Sequence, residues 1–125
     1  MLVILMAEPL RDPKQLQAAL EEFQGLQRQL QMVMLQRQQM EAQMEEMKGA
    51  QEELKGAGGT IYRMAGTLFI ESSKEDAKKD ISERLETYEV RSKTVAKQEE
   101  RLRERLTQLR MDLEKATAQG AQGQA

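Results

Sequence analysis

A chain of 125 residues falls within the size of one domain, and with only 3% aromatic residues it holds little material for a large globular interior. Charged residues make up 32%, and 19 Lys and Arg against 21 Asp and Glu give a formal net charge of -2, without the basic footprint that duplex DNA or RNA binding requires. The absence of cysteine excludes a disulfide framework and thiolate metal sites; the absence of histidine removes the side chain most used for acid–base work near neutral pH, so enzymatic chemistry and a cofactor are disfavoured.

The opening MLVILM is apolar but lacks a basic flank, the length of a signal-peptide core and a small-residue cleavage site. It is also far shorter than the roughly 20 residues that span a bilayer. Residues 1–12 are therefore read as a disordered extension of a cytoplasmic protein with no membrane partner, and Met6 as an alternative initiator to Met1.

Asp12 followed by Pro13 forms a helix start, since a proline in the first turn loses no intrahelical hydrogen bond. From Leu16, alternating steps of three and four reach Ala19, Phe23, Leu26, Leu30, Val33, Arg37, Met40, Met44, Met47, Gln51 and Leu54, a heptad seam with ten of twelve positions apolar. Most of the nine methionines are assigned to such mid-helix seams as core filler. Arg37 is expected to pack its stem and send its head to the edge of the seam, or simply to lie exposed. The helix should end near Lys55, where KGAGGT supplies Gly56, Gly58 and Gly59 for left-handed backbone.

TIYRM and TLFIE, rich in β-branched and aromatic residues and separated by Ala-Gly, predict a β-hairpin over residues 60–71 that turns near Ala65, Gly66 and Thr67. Ile61, Tyr62, Met64, Leu68, Phe69 and Ile70 place apolar groups on both of its faces. An isolated hairpin is marginal in water and its open edges invite further strands, so these residues are the candidate assembly surface; the alternative is a hairpin folded back on its own helices in a monomer.

Ser72 with Glu75, or Ser73 with Asp76, fits a capping box that starts a second helix near Lys74. Ala77 and Ile81 lead into a second seam at Leu85, Tyr88, Ser92, Val95, Glu99, Leu102, Leu106, Leu109, Leu113 and Ala116, with Glu99 as its charged interruption. Residues 118–125 have no apolar periodicity and are expected to be a disordered tail. Two seams of equal length, each about 60 Å at 1.5 Å per residue, predict an antiparallel two-helix coiled coil over residues 13–117 in a mainly α fold. Leu54 then lies opposite Ala77, Arg37 opposite Ser92 to Val95, and Phe23 near Gln108 and Leu109.

Helix, single hairpin, helix resembles the β-type subunits of the archaeal chaperone prefoldin and the related eukaryotic β-type subunits. LQMVMLQRQQMEAQMEE, IYRMAGTLFIESSKEDAKKDISERLE and KQEERLRERLTQL carry the likeness, which covers Leu16 to Leu113. The resemblance implies a hexamer of two α-type and four β-type subunits whose hairpins close into a β-barrel platform with coiled coils hanging from it. It also implies ATP-independent capture of unfolded polypeptides at the helix ends and delivery to a group II chaperonin. Carried onto this chain, the candidate client contacts are Leu16, Leu20 and Phe23 with Leu106, Leu109, Met111 and Leu113. Of these, Leu20 and Met111 lie off the seams. The alternative is a structural coiled-coil adaptor or dimerisation module without client holding. Nucleic-acid binding through residues 91–110, where seven Lys and Arg face three Glu, is disfavoured because no aromatic residues interleave the run.

Overall fold

In the computed structural model, which describes residues 12–123, four elements follow in chain order: α1 (Pro13–Gly56), β1 (Ile61–Ala65), β2 (Leu68–Ser72) and α2 (Lys74–Gly123). Residues 1–11, the greater part of the expected N-terminal extension, lie outside the described residues.

Each boundary has a local cause. Asp12 accepts the Lys14 amide on its side chain at 3.0 Å and the Leu16 amide on its carbonyl at 2.9 Å, so Pro13 occupies the first helical position, where its missing N–H costs nothing. At the other end of α1 the Ala57 amide donates to the Leu54 carbonyl, and the Lys74 ammonium donates to the Lys55 carbonyl at 3.0 Å. That cation sits where the helix dipole favours positive charge. Of the three glycines that follow, only Gly59 takes a left-handed backbone, with φ 81°. Between the two candidate capping boxes the structure selects Ser73, whose hydroxyl accepts the Asp76 amide at 3.1 Å; the Ser72 hydroxyl instead donates to the Ser73 carbonyl.

The hairpin pairs Ile61 with Ser72, Tyr62 with Glu71, Arg63 with Ile70, Met64 with Phe69 and Ala65 with Leu68. That register leaves Gly66 and Thr67 as a two-residue loop. Gly66 has φ 63° and no non-glycine residue has positive φ among those described, the combination required by the turn whose twist matches the strands.

The chain divides into two units. One contains the residues up to Met34 and from Lys97 on; the other is Leu35–Ala96. In the first, Ala19, Val33, Leu102 and Leu109 are buried, and Leu16, Phe23, Leu26, Leu30, Leu106, Leu113 and Ala116 are half-buried. Arg105 reaches across to Glu22 with a 2.9 Å ion pair, and Arg103 donates to the Met34 sulfur at 3.4 Å, so numbers rise on one helix as they fall on the other. Glu99 is buried in this unit and accepts from Arg103 one turn on at 2.9 Å. In the second unit Leu54, Ala77 and Val95 are buried, and Gln51 donates to the Ser82 hydroxyl at 3.4 Å. Arg37 there is half-buried and pairs with Glu41 at 2.9 Å, with its stem in the seam and its head at the edge. All of the seam positions read from the sequence are buried or half-buried.

Two expectations need correction. The disordered tail from residue 118 is instead a continuation of α2 through Gly123. Apolar periodicity stops near Ala116, but a helix already nucleated needs only good helix formers to propagate, and Ala and Gln supply them. Core filling holds for only part of the methionines described. Met40, Met44 and Met47 are half-buried on the seam and Met34 beside it, whereas Met32, Met64 and Met111 are exposed, Met32 at 72%.

Ser73→Ala is expected to cost about 1 kcal/mol, while Ser72→Ala should stay within about 0.5 kcal/mol. Thermal unfolding followed by circular dichroism checks this, and equal losses would remove the capping role from Ser73. Leu109, 4% exposed, should lose about 2–5 kcal/mol on truncation to Ala, against about 1 kcal/mol or less for Leu20, 41% exposed. Denaturant titration of the two variants ranks them, and a reversed order would refute the seam assignment.

Candidate functional site

Two surfaces carry side chains that the seam does not need. The first is the hairpin. Alternation along a strand puts Tyr62, Met64 and Phe69 on one face, with Glu71 opposite Tyr62; Arg63, Ala65, Leu68 and Ile70 share the other face with Ile61 and Ser72. Tyr62, Met64, Leu68, Phe69 and Ile70 are all exposed, Phe69 at 71%, and of the assembly residues read from the sequence only Ile61 is half-covered. The sheet has just two strands, so each strand is hydrogen-bonded on one side and open on the other. Ile61 lines an open concavity of about 360 Å³ with Ala50, Leu54, Ala57, Ala77 and Ile81, and Tyr62, Arg63 and Met64 border the same space. β1 therefore borders the helices from Ile61 to Met64, yet the hairpin does not fold back far enough to hide its apolar faces.

Both faces being apolar has an energetic meaning. A side chain such as Phe, Leu, Ile or Met gains roughly 1.5–3 kcal/mol when moved from full exposure to full burial, so five exposed ones are a substantial driving force for association. The open edges add direction, because a strand that docks on them completes a hydrogen-bond ladder.

The second surface lies at the helix ends, the start of α1 and the last turns of α2. Leu20 and Met111 are 41% and 45% exposed, while Leu16, Phe23, Leu106 and Leu113 are half-buried. Leu109 does not belong to this surface. It occupies a seam position, and only 4% of its surface is exposed.

Sequence reasoning passed over three further exposed apolar residues on the outer faces of the helices: Met32, Leu35 and Val90. The signal was present, since each lies two residues beyond a seam position. Among the described residues no three carboxylate, His or Cys side chains form a group able to hold a metal ion, and no helix is long and apolar enough to cross a membrane.

Comparison with known proteins gives these surfaces a setting. The family model for prefoldin subunits matches residues 17–120. The prefoldin subunit beta of Methanococcus aeolicus is 48% identical over 54 residues, 43% of this chain and 47% of its own; that of Methanococcoides burtonii is 44% identical over 62 residues, 50% of this chain and 51% of its own. The matched stretches thus span about half the length of these curated relatives. Among solved structures, the prefoldin beta subunit from Thermococcus strain KS-1 superposes with a TM-score of 0.76 at 32% identity, covering 87% of this chain and 96% of that one. The beta2 subunit from the same strain gives 0.65 at 26% identity, over 70% of this chain and 95% of its own. A family match that runs from the first turns of α1 nearly to the end of α2, together with a common fold at 32% identity, establishes that the chain belongs to the prefoldin subunit family.

Proposed function

We propose that this chain is a β-type subunit of an ATP-independent cytoplasmic chaperone. Four copies join two α-type subunits through their hairpins, and the helix ends hold non-native polypeptides for transfer to a group II chaperonin. The observation that carries the proposal is the hairpin: five large apolar side chains exposed on both faces of a two-stranded sheet with open edges, in a chain whose fold is that of prefoldin beta subunits. A coiled-coil adaptor has no use for such a ribbon, whereas a sheet completed by several hairpins covers its faces and its edges together.

Holding clients would rest on weak apolar contacts repeated over several arms. Linked sites raise effective concentration, so avidity builds without any single tight contact. Leu20 and Met111, which present apolar surface at little cost to the seam, are the contacts of choice, with the half-buried Leu16, Phe23, Leu106 and Leu113 contributing where the two helices end. Methionine suits this role because an unbranched, polarisable side chain adapts to varied partners.

Native mass spectrometry of the chain mixed with an α-type prefoldin subunit is expected to show a hexamer with four copies of this chain, and Phe69→Asp is expected to abolish it while helical circular dichroism persists. A monomer or simple dimer that ignores the α-type subunit would sink the proposal in favour of the adaptor. Leu20→Ser with Met111→Ser should leave the hexamer intact and weaken suppression of client aggregation severalfold, on the order of tenfold for each 1.4 kcal/mol of lost contact. Unchanged suppression would move the holding surface elsewhere.

A further inference from the structure

Peroxides oxidise the softest nucleophile within reach, and in a chain without cysteine that is the methionine thioether. Exposure selects among the methionines described. Met34, Met40, Met44 and Met47 are half-buried along α1, whereas Met32, Met64 and Met111 are exposed, Met64 at 59%. Only Met64 stands on the hairpin. We propose that Met64 is a peroxide-sensitive modification site that controls entry into the assembly: the thioether is admitted to the covered face of the completed sheet, and the sulfoxide is refused. The inference rests on the reading that the hairpins join the subunits.

The reaction needs only the peroxide. A lone pair of the Met64 sulfur attacks one oxygen of hydrogen peroxide, an S–O bond forms as the O–O bond breaks, and the departing hydroxide takes the proton of the attacked oxygen and leaves as water. Sulfur gives up two electrons and the peroxide receives them. The side chain keeps its length and gains a strong hydrogen-bond acceptor, so it becomes polar where it was apolar.

Position gives that change its consequence. Met64 lies opposite Phe69 and shares its face with Tyr62, whereas the opposite face carries Arg63 in mid-strand. The Met64 face has its only charge, Glu71, at the end of the hairpin next to the helices, so a sheet completed by further strands covers Met64 at less cost than Arg63. A thioether beside an aromatic ring is a favourable neighbour. A sulfoxide in the same place finds no donor across the strand, because Phe69 offers none, and burying an unpaired acceptor is costly. Met32 and Met111 belong to the helices, so the same oxidation there leaves the sheet untouched. The free subunit is thus open to modification, and the assembled one is protected.

The test treats the full chain with hydrogen peroxide until about half of Met64 is modified, removes the peroxide and mixes the chain with the α-type subunit. Peptide mass mapping of the assembled and free pools then reports sulfoxide at each methionine. Met64 sulfoxide is expected to be depleted about tenfold in the assembled pool, with Met32 sulfoxide equal in both. Equal Met64 oxidation in the two pools would overturn the proposal. Peroxide added after assembly is expected to reach Met32 and spare Met64; modification of Met64 within the intact complex would overturn it as well. Met64→Leu, which removes the sulfur and keeps the bulk, is expected to assemble equally before and after treatment, and loss of its assembly on treatment would move the sensitivity to another methionine. An untreated chain that never enters the complex would instead overturn the reading of the hairpins as the assembly surface, and the role of Met64 with it.

Discussion

Two helices in contact share one line of approach, and each can turn only a narrow stripe of side chains toward it. No described residue is enclosed completely, and Leu109, among the best covered, keeps 4% of its surface. Alanine is as valuable as leucine in such a core where the backbones come close: Ala19 and Ala77 are as buried as Val33 and Val95. The same geometry leaves nothing to cover a third element. A hairpin attached to one end keeps Ile61 half-covered beside Leu54 and leaves its other large apolar side chains exposed. The exposure of Tyr62, Met64, Leu68, Phe69 and Ile70 follows from the thinness of the seam.

A seam made only of apolar residues would slide by a heptad at little cost, and the two charged positions on it are handled differently. Arg37 has a long stem, so its methylenes fill the seam while its guanidinium meets Glu41 at the edge. Glu99 has a short stem and lies buried, with Arg103 brought over it from one turn away. Burying a carboxylate rarely adds stability compared with an apolar residue of similar size, but a shifted register would place it against the wrong neighbours. The ion pair from Glu22 to Arg105 acts in the same sense from the flank of the seam. Exposed at both ends, it contributes more to alignment than to stability.

Sequence legibility followed the same division. Positions fixed by packing were readable, because a strict alternation of three and four admits one solution: from Leu16 to Leu54 and from Leu85 to Ala116 each seam position is covered as the period predicts. The hairpin and its glycine turn were equally plain. Positions fixed by local competition were not. Ser72 and Ser73 both satisfy the capping pattern, and only the backbone shows that Ser72 still belongs to the strand. The end of α2 was misplaced because seam periodicity reports where a helix is packed, not where it stops, and Ala and Gln continue a helix without a partner. Among the exposed methionines, Met64 and Met111 already stood off the seams in the sequence, and only Met32, two residues beyond Leu30, was passed over. Leu109 was grouped with the helix-end surface by its place along the chain, although its heptad position marks it as core.

Strand geometry also constrains what an assembly through the hairpin can be. Each hairpin supplies two strands of five residues, about 17 Å long. Stacking hairpins edge to edge in an open ribbon would always leave two edges and two faces in water, and would invite continued growth. A closed barrel removes the edges, but closure around filled side chains takes about eight strands, more than one chain can provide. One face of each hairpin then points inward. The face of Tyr62, Met64 and Phe69 holds the larger apolar groups and has its one carboxylate, Glu71, at the open end near the helices; the opposite face carries Arg63 between Ala65 and Ile61. A charge in the middle of a strand is costly inside a small barrel and harmless outside it. In a closed sheet of the kind proposed above, Tyr62, Met64 and Phe69 would face the interior, and Leu68 and Ile70 would lie on the outer wall.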